Sequence, residues 1–540
     1  MRGPTKSFVL LFVCLLVWGT PAFAQSDKPA GDQAAPAAKP ASEEEVQQLR
    51  REVAELKATI QKLMLVNSQQ PAASGHLVEA SAVVSNNTTQ PTDPNALPSA
   101  DPNASPATAA DIDALQKEID LLQKKAGDAG PVTAGWNGEH FFLKSSDGNF
   151  VLMPVGYLDA NYVSYNGDGH PPDTFSIQRA RFGVQGNYGK QLDYAFLFET
   201  ASSVTIRDAY IDFKPWDFLK FQAGQYKVPF SMEVGTADTN VEFVDRSIVS
   251  VLYPDAGGSF RAPGVDAHGD LFGGALTYWG GVFNGKGLIT NNTTNEPEVT
   301  GRIRIQPFKN SDNPFKNFAV GGSAAHSRSR GLSNELSFSG ALNDGAYTFF
   351  PQYIINGGIE RYNGFAIYRR GPLGIRGEYT QGLWKREGIG TLQLGGIGNQ
   401  SLPGIIGKGA YGQVTYLLTG EEEPENAIPR VKHPVIGPSS PGETGGPGWG
   451  AWAVKFRYSW LQGKAPGASC TDNNTCPITP AIFPAQSDHT DQFTGGVNWY
   501  LNYWILLKFD FNVDRLLYPS VQGITKQNYA VFLQQVQFRF

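Results

Sequence analysis

The stretch Ala451-Trp452-Ala453-Val454-Lys455-Phe456-Arg457-Tyr458-Ser459-Trp460-Leu461 decides the fold. Its even positions, Trp452, Val454, Phe456, Tyr458 and Trp460, form one apolar face. Its odd positions, Ala453, Lys455, Arg457 and Ser459, form a polar one. Period-two alternation belongs to a strand, because successive side chains leave opposite faces of the pleat. A sandwich strand would also bury its apolar face, but Trp at each end matches the two aromatic girdles of a membrane-spanning strand.

The pattern recurs outward from this stretch. Phe182, Val184, Gly186 and Tyr188 stand opposite Arg179, Arg181, Gln185 and Asn187. Ile303 and Ile305 alternate with Arg302 and Arg304, and Phe493, Val497, Trp499 and Leu501 with Thr494, Asn498 and Asn502. Near the end, Phe532, Val536, Phe538 and Phe540 alternate with Leu533, Gln535, Gln537 and Arg539. A closing aromatic strand of this kind resembles the sorting signal of bacterial outer-membrane proteins, with Phe540 and Phe538 as its bearers. Residues 136–540 allow about sixteen strands at roughly 25 residues for each strand with half its loops. The expected fold is all-β, an antiparallel transmembrane barrel of about 16 strands. Glu421–Gly448 and Leu461–Asp491 are expected as extracellular loops, and Asn187–Lys190 as a periplasmic hairpin closure.

Composition agrees. Charged residues make up 17% of the 540, against a usual quarter or so. Gly numbers 61 and aromatics reach 12%. The longest apolar run, Phe8–Trp18, is too short to cross a bilayer as a helix, which excludes a multi-helix membrane protein. A net charge of −6 without a basic tract argues against a nucleic-acid partner.

Arg2 and Lys6, the run Phe8–Trp18 and Ala22-Phe23-Ala24 follow the order of a secretory signal peptide over residues 1–24. Its removal takes two positive charges and no acids, so the net charge moves from −6 to −8. Residues 25–41 read as a flexible spacer. Ser42-Glu43-Glu44-Glu45 makes a capping box, and Val46, Leu49, Val53, Leu56, Ile60 and Leu63 a heptad seam, so 42–67 is expected as a short coiled coil. A disordered linker over 68–110 and a second short helix over 111–126 follow. Only Cys470 and Cys476 remain after cleavage, and in an oxidising compartment the expectation is a local disulfide.

Several strings carry a family resemblance. Gly224-Gln225-Tyr226-Lys227-Val228-Pro229-Phe230 follows Asp208-Ala209-Tyr210-Ile211-Asp212-Phe213-Lys214-Pro215. Asp245-Arg246-Ser247, Gly281-Val282-Phe283-Asn284-Gly285, Leu418-Thr419-Gly420-Glu421 and Gly450-Ala451-Trp452 come in matching order. Together they resemble the phosphate-selective porin O and P family over roughly residues 136–540. The resemblance implies a homotrimer in outer-membrane lipid that passes small inorganic anions such as phosphate or polyphosphate. It also implies loop lysines at a phosphate site, but Lys286, Lys309, Lys408, Lys432 and Lys464 are scattered and do not match that pattern.

An anion pore needs cations facing water, spaced so that an ion passes without being held. Alternation places Arg179, Arg181, Arg302, Arg304, Arg376, Lys455 and Arg457 on lumen faces as candidate anion contacts. On a lipid face at mid-depth each would cost about 2–4 kcal/mol. The opposing reading is bracing of the wall against lumen acids such as Asp208, Asp212, Glu378, Asp510 and Asp514. Lys227, beside Pro229, is assigned a structural role. His76, His140, His170, His268, His326, His433 and His489 share no metal-ligand spacing, and no nucleophile elbow or P-loop occurs. No enzyme, metal or cofactor is expected. Two other functions fit the same residues: a general non-specific porin, and an envelope tether whose coiled coil contacts the cell wall.

Overall fold

The computed structural model describes residues 132–166, 171–255, 260–292, 294–330, 335–339, 348–388, 401–465, 486–521 and 524–540. The expected signal peptide, spacer, coiled coil, linker, second helix and Cys470–Cys476 pair lie outside them.

Two short strands, β1 (Thr133–Trp136) and β2 (Phe141–Lys144), form a hairpin on the edge of β3 (Phe150–Asn166). The wall continues through β4 (Thr174–Tyr188), β5 (Leu192–Glu199), β6 (Thr205–Trp216), β7 (Leu219–Lys227), β8 (Arg261–Leu271), β9 (Leu276–Phe283), β10 (Glu298–Ile305) and β11 (Ala319–Ser329). A separate hairpin, β12 (Glu335–Ser339) with β13 (Thr348–Ile354), precedes β14 (Gly357–Arg370), which pairs directly with β11. The ring is completed by β15 (Leu373–Arg386), β16 (Leu402–Leu417), β17 (Ala451–Ala465), β18 (Gln486–Tyr500), β19 (Ile505–Val521) and β20 (Ile524–Arg539). β20 pairs antiparallel with β3, from Ala530 opposite Asn166 to Arg539 opposite Tyr157. Without the β1–β2 hairpin, the 18-stranded sheet is a closed barrel of sixteen strands, all pairings antiparallel. Closure leaves no unpaired sheet edge in lipid, where each unsatisfied backbone group costs several kcal/mol.

The alternation read from the sequence runs through the wall. In β17, Val454, Phe456 and Tyr458 are exposed on the outside, while Lys455, Arg457 and Ser459 are buried within. Trp452 stacks on Trp499 with ring centroids 4.8 Å apart near one rim. In β4 a bulge at Gln178 shifts the register between Asp159 and Ala160, so Ile177 and Phe182 both remain outside. Gly224 is held at φ +131°, and a Cβ there would lie 2.2 Å from the Ala209 carbonyl oxygen. Only glycine accommodates that approach of β7 to β6.

Strand parity corrects one expectation. Glu421–Gly448 precedes β17 and Leu461–Asp491 runs from inside β17 into β18, so the two stretches lie at opposite ends of one strand. The segment 418–450 shares its end of the barrel with the tight turn after Tyr188 and with Phe540. The two stretches therefore cannot both be extracellular loops. Length and polarity carry no information about which rim a connection occupies. Parity does.

The segment 228–255, after β7, folds into the lumen. It contains a one-turn helix α1 (Met232–Gly235), capped by the Ser231 hydroxyl, which accepts from the Val234 amide at 2.9 Å. Phe230, Val234, Ile248, Val249, Leu252 and Tyr253 of this segment are buried in one cluster with wall residues Trp384, Ile405, Tyr411 and Leu461. An apolar core thus sits inside the barrel, on the β14–β19 side.

Candidate functional site

The inward segment is fastened by polar contacts from successive strands. The Glu378 carboxylate accepts the Met232 and Glu233 amides at 3.1 and 2.7 Å, and the Tyr411 hydroxyl at 2.7 Å. Glu242 pairs with Arg376 and accepts from Thr415 Oγ1 at 2.6 Å and Gln413 Nε2 at 2.7 Å. Lys455 donates to the Glu242 carbonyl at 2.6 Å and pairs with Asp510 at 2.7 Å. Arg457 donates to the Asp245 and Arg246 carbonyls at 3.0 and 3.3 Å, its guanidinium 4.4 Å from the centre of the Phe243 ring. Lys508 donates to the Val241 carbonyl at 2.8 Å.

From the opposite rim, the segment 418–450 reaches the same loop. Asn426 accepts the Ala237 amide at 2.6 Å through its side chain, and Asn240 Nδ2 through its carbonyl at 2.6 Å. Glu425 pairs with Arg304 at 2.8 Å and Arg369 at 2.6 Å, and Glu423 with Arg376 at 3.1 Å. The β14–β19 half of the lumen is filled.

Among the described residues a cavity of about 560 Å³ stays open along the β3–β10 wall. Arg181, Lys227, Arg261, Arg302 and Arg539 line it, and Asp208 and Asp238 are its acids. Asp238, on the inward segment, gathers cations: Arg181, Lys227 at 3.0 Å, Arg246 at 2.7 Å and Arg261 at 3.5 Å. Burial opposes its ionisation, but Lys227, Arg181, Arg261 and Arg246 hold its carboxyl well below the usual carboxylate range. Arg261 also grips Asp208 at 2.8 Å, and Arg181 grips Glu199 at 2.7 Å. Arg302 differs. It donates to the Ser231 carbonyl at 2.9 Å and stacks 3.8 Å from the centre of the Trp279 ring. Among the described residues it makes no ion pair.

The seven cations expected from the sequence therefore divide. Arg181 and Arg302 line the open cavity. Arg179 pairs with Asp159 at 2.9 Å beside it. Arg376, Lys455 and Arg457 hold the inward segment, and Arg304 holds the opposite one. Lys227 donates to the Thr236 carbonyl at 2.7 Å as well as to Asp238, and it lines the cavity. Arg261 and Arg539 were not among the expected contacts. Arg261 shares the parity of Val265, which is exposed on the outer wall, so alternation alone assigns it to lipid. It escapes because it stands at the strand end, where the chain turns inward. Arg539 alternates with the outward Phe538 and had a lumen parity that could have marked it. Phe538 and Phe540 are partly exposed at the barrel seam, where Phe540 and Gly156 exchange backbone hydrogen bonds of 3.0 and 3.1 Å. Among the described residues no group of His, Cys, Asp and Glu could hold a metal ion.

The family model for phosphate-selective porin O and P matches residues 155–518. A search of the curated proteins found no match. Among solved structures, the in-vitro folded outer-membrane protein OmpT of Vibrio cholerae is 11% identical, with 73% of this chain and 98% of that one covered and a TM-score of 0.45. The OmpF–daunomycin complex of Salmonella typhi is 10% identical over 76% and 100%, with a TM-score of 0.42. The outer-membrane channel DcaP of Acinetobacter baumannii is 11% identical over 74% and 99%, also at 0.42.

Proposed function

This chain belongs to the phosphate-selective porin O and P family, and from that premise we propose that it is a passive, anion-preferring channel of the bacterial outer membrane. The observation that carries the preference is the charge of the open cavity, five cationic side chains against Asp208 and Asp238. Like-signed charge in a narrow, low-dielectric passage concentrates counter-ions and excludes co-ions. Arginine suits the role because it stays charged at any relevant pH and offers two donors to one oxyanion. The remaining lumen cations support the pore differently, by holding the inward segment so that one side of the barrel stays open.

In this reading the rim carrying Phe540 and the short turns faces the periplasm, and the chain works as a homotrimer. Phosphate is one of the anions that pass. Reconstitution in a planar bilayer under a KCl gradient tests the preference, and phosphate competition against chloride current tests phosphate specificity. A chloride-preferring current that phosphate reduces at lower concentration than acetate does supports a phosphate-selective pore. Equal effects leave a general anion porin.

A further inference from the structure

The open cavity is not uniformly polar. On the filled β17–β19 side, inward positions carry the buried polar residues Ser459, Gln492, Thr494 and Asn512. Along the open side, inward positions of β3, β5, β6 and β9 carry instead Val155, Ala195, Leu197, Tyr210 and Trp279. The cations stand between them. The Arg302 guanidinium sits over the Trp279 ring, 3.8 Å from its centre, and the Arg181 guanidinium donates to the Tyr157 hydroxyl at 2.5 Å. Each pairing sets a charged fork beside a carbon surface.

An inorganic anion exchanges hydration water for polar contacts, and valine, leucine or indole offers it none. An organic anion gains from both surfaces, its head group from the guanidinium and its carbon body from the apolar wall. Size agrees: about 560 Å³ falls within the range of small-molecule sites, about 300–1,000 Å³. We infer that the passage is built for organic anions, carboxylates or phosphate monoesters, whose apolar body slides along Leu197, Tyr210 and Trp279 while the head group is drawn to Arg302. This rests on the anion-preferring reading above and narrows its substrate class.

The test is block of the chloride current through the reconstituted full chain by acetate and by hexanoate, which share a head group and differ in four carbons. Hexanoate is expected to reach half-block at about tenfold lower concentration than acetate, equivalent to about 1.4 kcal/mol. Trp279→Ala and Leu197→Gln should each bring the ratio toward one. An anion-selective current on which hexanoate gains nothing over acetate overturns this inference alone. A ratio that survives in both variants also overturns it, because the body then lies elsewhere. A cation-selective current overturns the anion reading and this inference with it.

Discussion

Arg302→Gln isolates the charge of the passage. Arg302 has a hydrogen bond to a carbonyl and a stacking partner, but no ion pair among the described residues. Gln can still donate to the Ser231 carbonyl, so the substitution removes charge while leaving a donor. An anion passing about 6 Å from the guanidinium gains ~0.7 kcal/mol at the dielectric of bulk water, and a cation loses the same. The difference of ~1.4 kcal/mol corresponds to about a tenfold change in anion-to-cation permeability ratio. Screening over a Debye length of about 10 Å at 0.1 M roughly halves the energy, giving about threefold. The expected fall is thus about three- to tenfold, read as a shift of reversal potential under a KCl gradient. Arg302→Lys keeps the charge without the planar stacking and should retain most of the preference. The reasoning is refuted if Arg302→Gln leaves the reversal potential unmoved, or if Arg302→Lys falls as far.

Three further outcomes follow from other parts of the structure. Asp238→Asn leaves Arg181, Lys227, Arg246 and Arg261 without their shared carboxylate, so anion preference should rise while stability falls by about 3–5 kcal/mol, measured by denaturant unfolding in detergent. Because that carboxyl is held below its ordinary range, its contribution is present above the unfolded-state pKa and is lost only as pH falls through the lower folded value. Asp255, pushed up to about 7 by burial and by Glu298, has the opposite sign. Its stabilising contribution, complete below the ordinary carboxyl range, is lost as pH rises toward about 7, so Asp255→Asn should flatten the fall in unfolding midpoint between pH 5 and 8. Gly224→Ala forces a Cβ to 2.2 Å from the Ala209 carbonyl oxygen at φ +131° and should cost about 2–4 kcal/mol, seen as a lower unfolding midpoint.

The barrel was legible because lipid imposes a strict pattern: Phe456 outside forces Lys455 and Arg457 inside, strand after strand. The strand number followed from length alone. The lining of the passage was not legible, because alternation gives a side but not a neighbour. Arg457 and Arg302 have the same reading in sequence, yet Arg457 is sealed behind the inward segment and Arg302 faces the cavity. That difference is made by residues 228–255, whose path depends on contacts more than a hundred positions away, such as the Glu233 amide with Glu378. Alternation also fails at strand ends, where Arg261 turns inward against its parity. Asp238 carried no signal of its own, since a lone acid in a loop reads as a solvated turn until four cations are seen around it.

The central claim is that the charge of the open passage, not the net charge of the chain, governs what crosses. Under a tenfold KCl gradient the reconstituted wild-type channel should reverse near the chloride equilibrium potential, although the full chain carries −6. A reversal at zero, or toward the potassium potential, would contradict it.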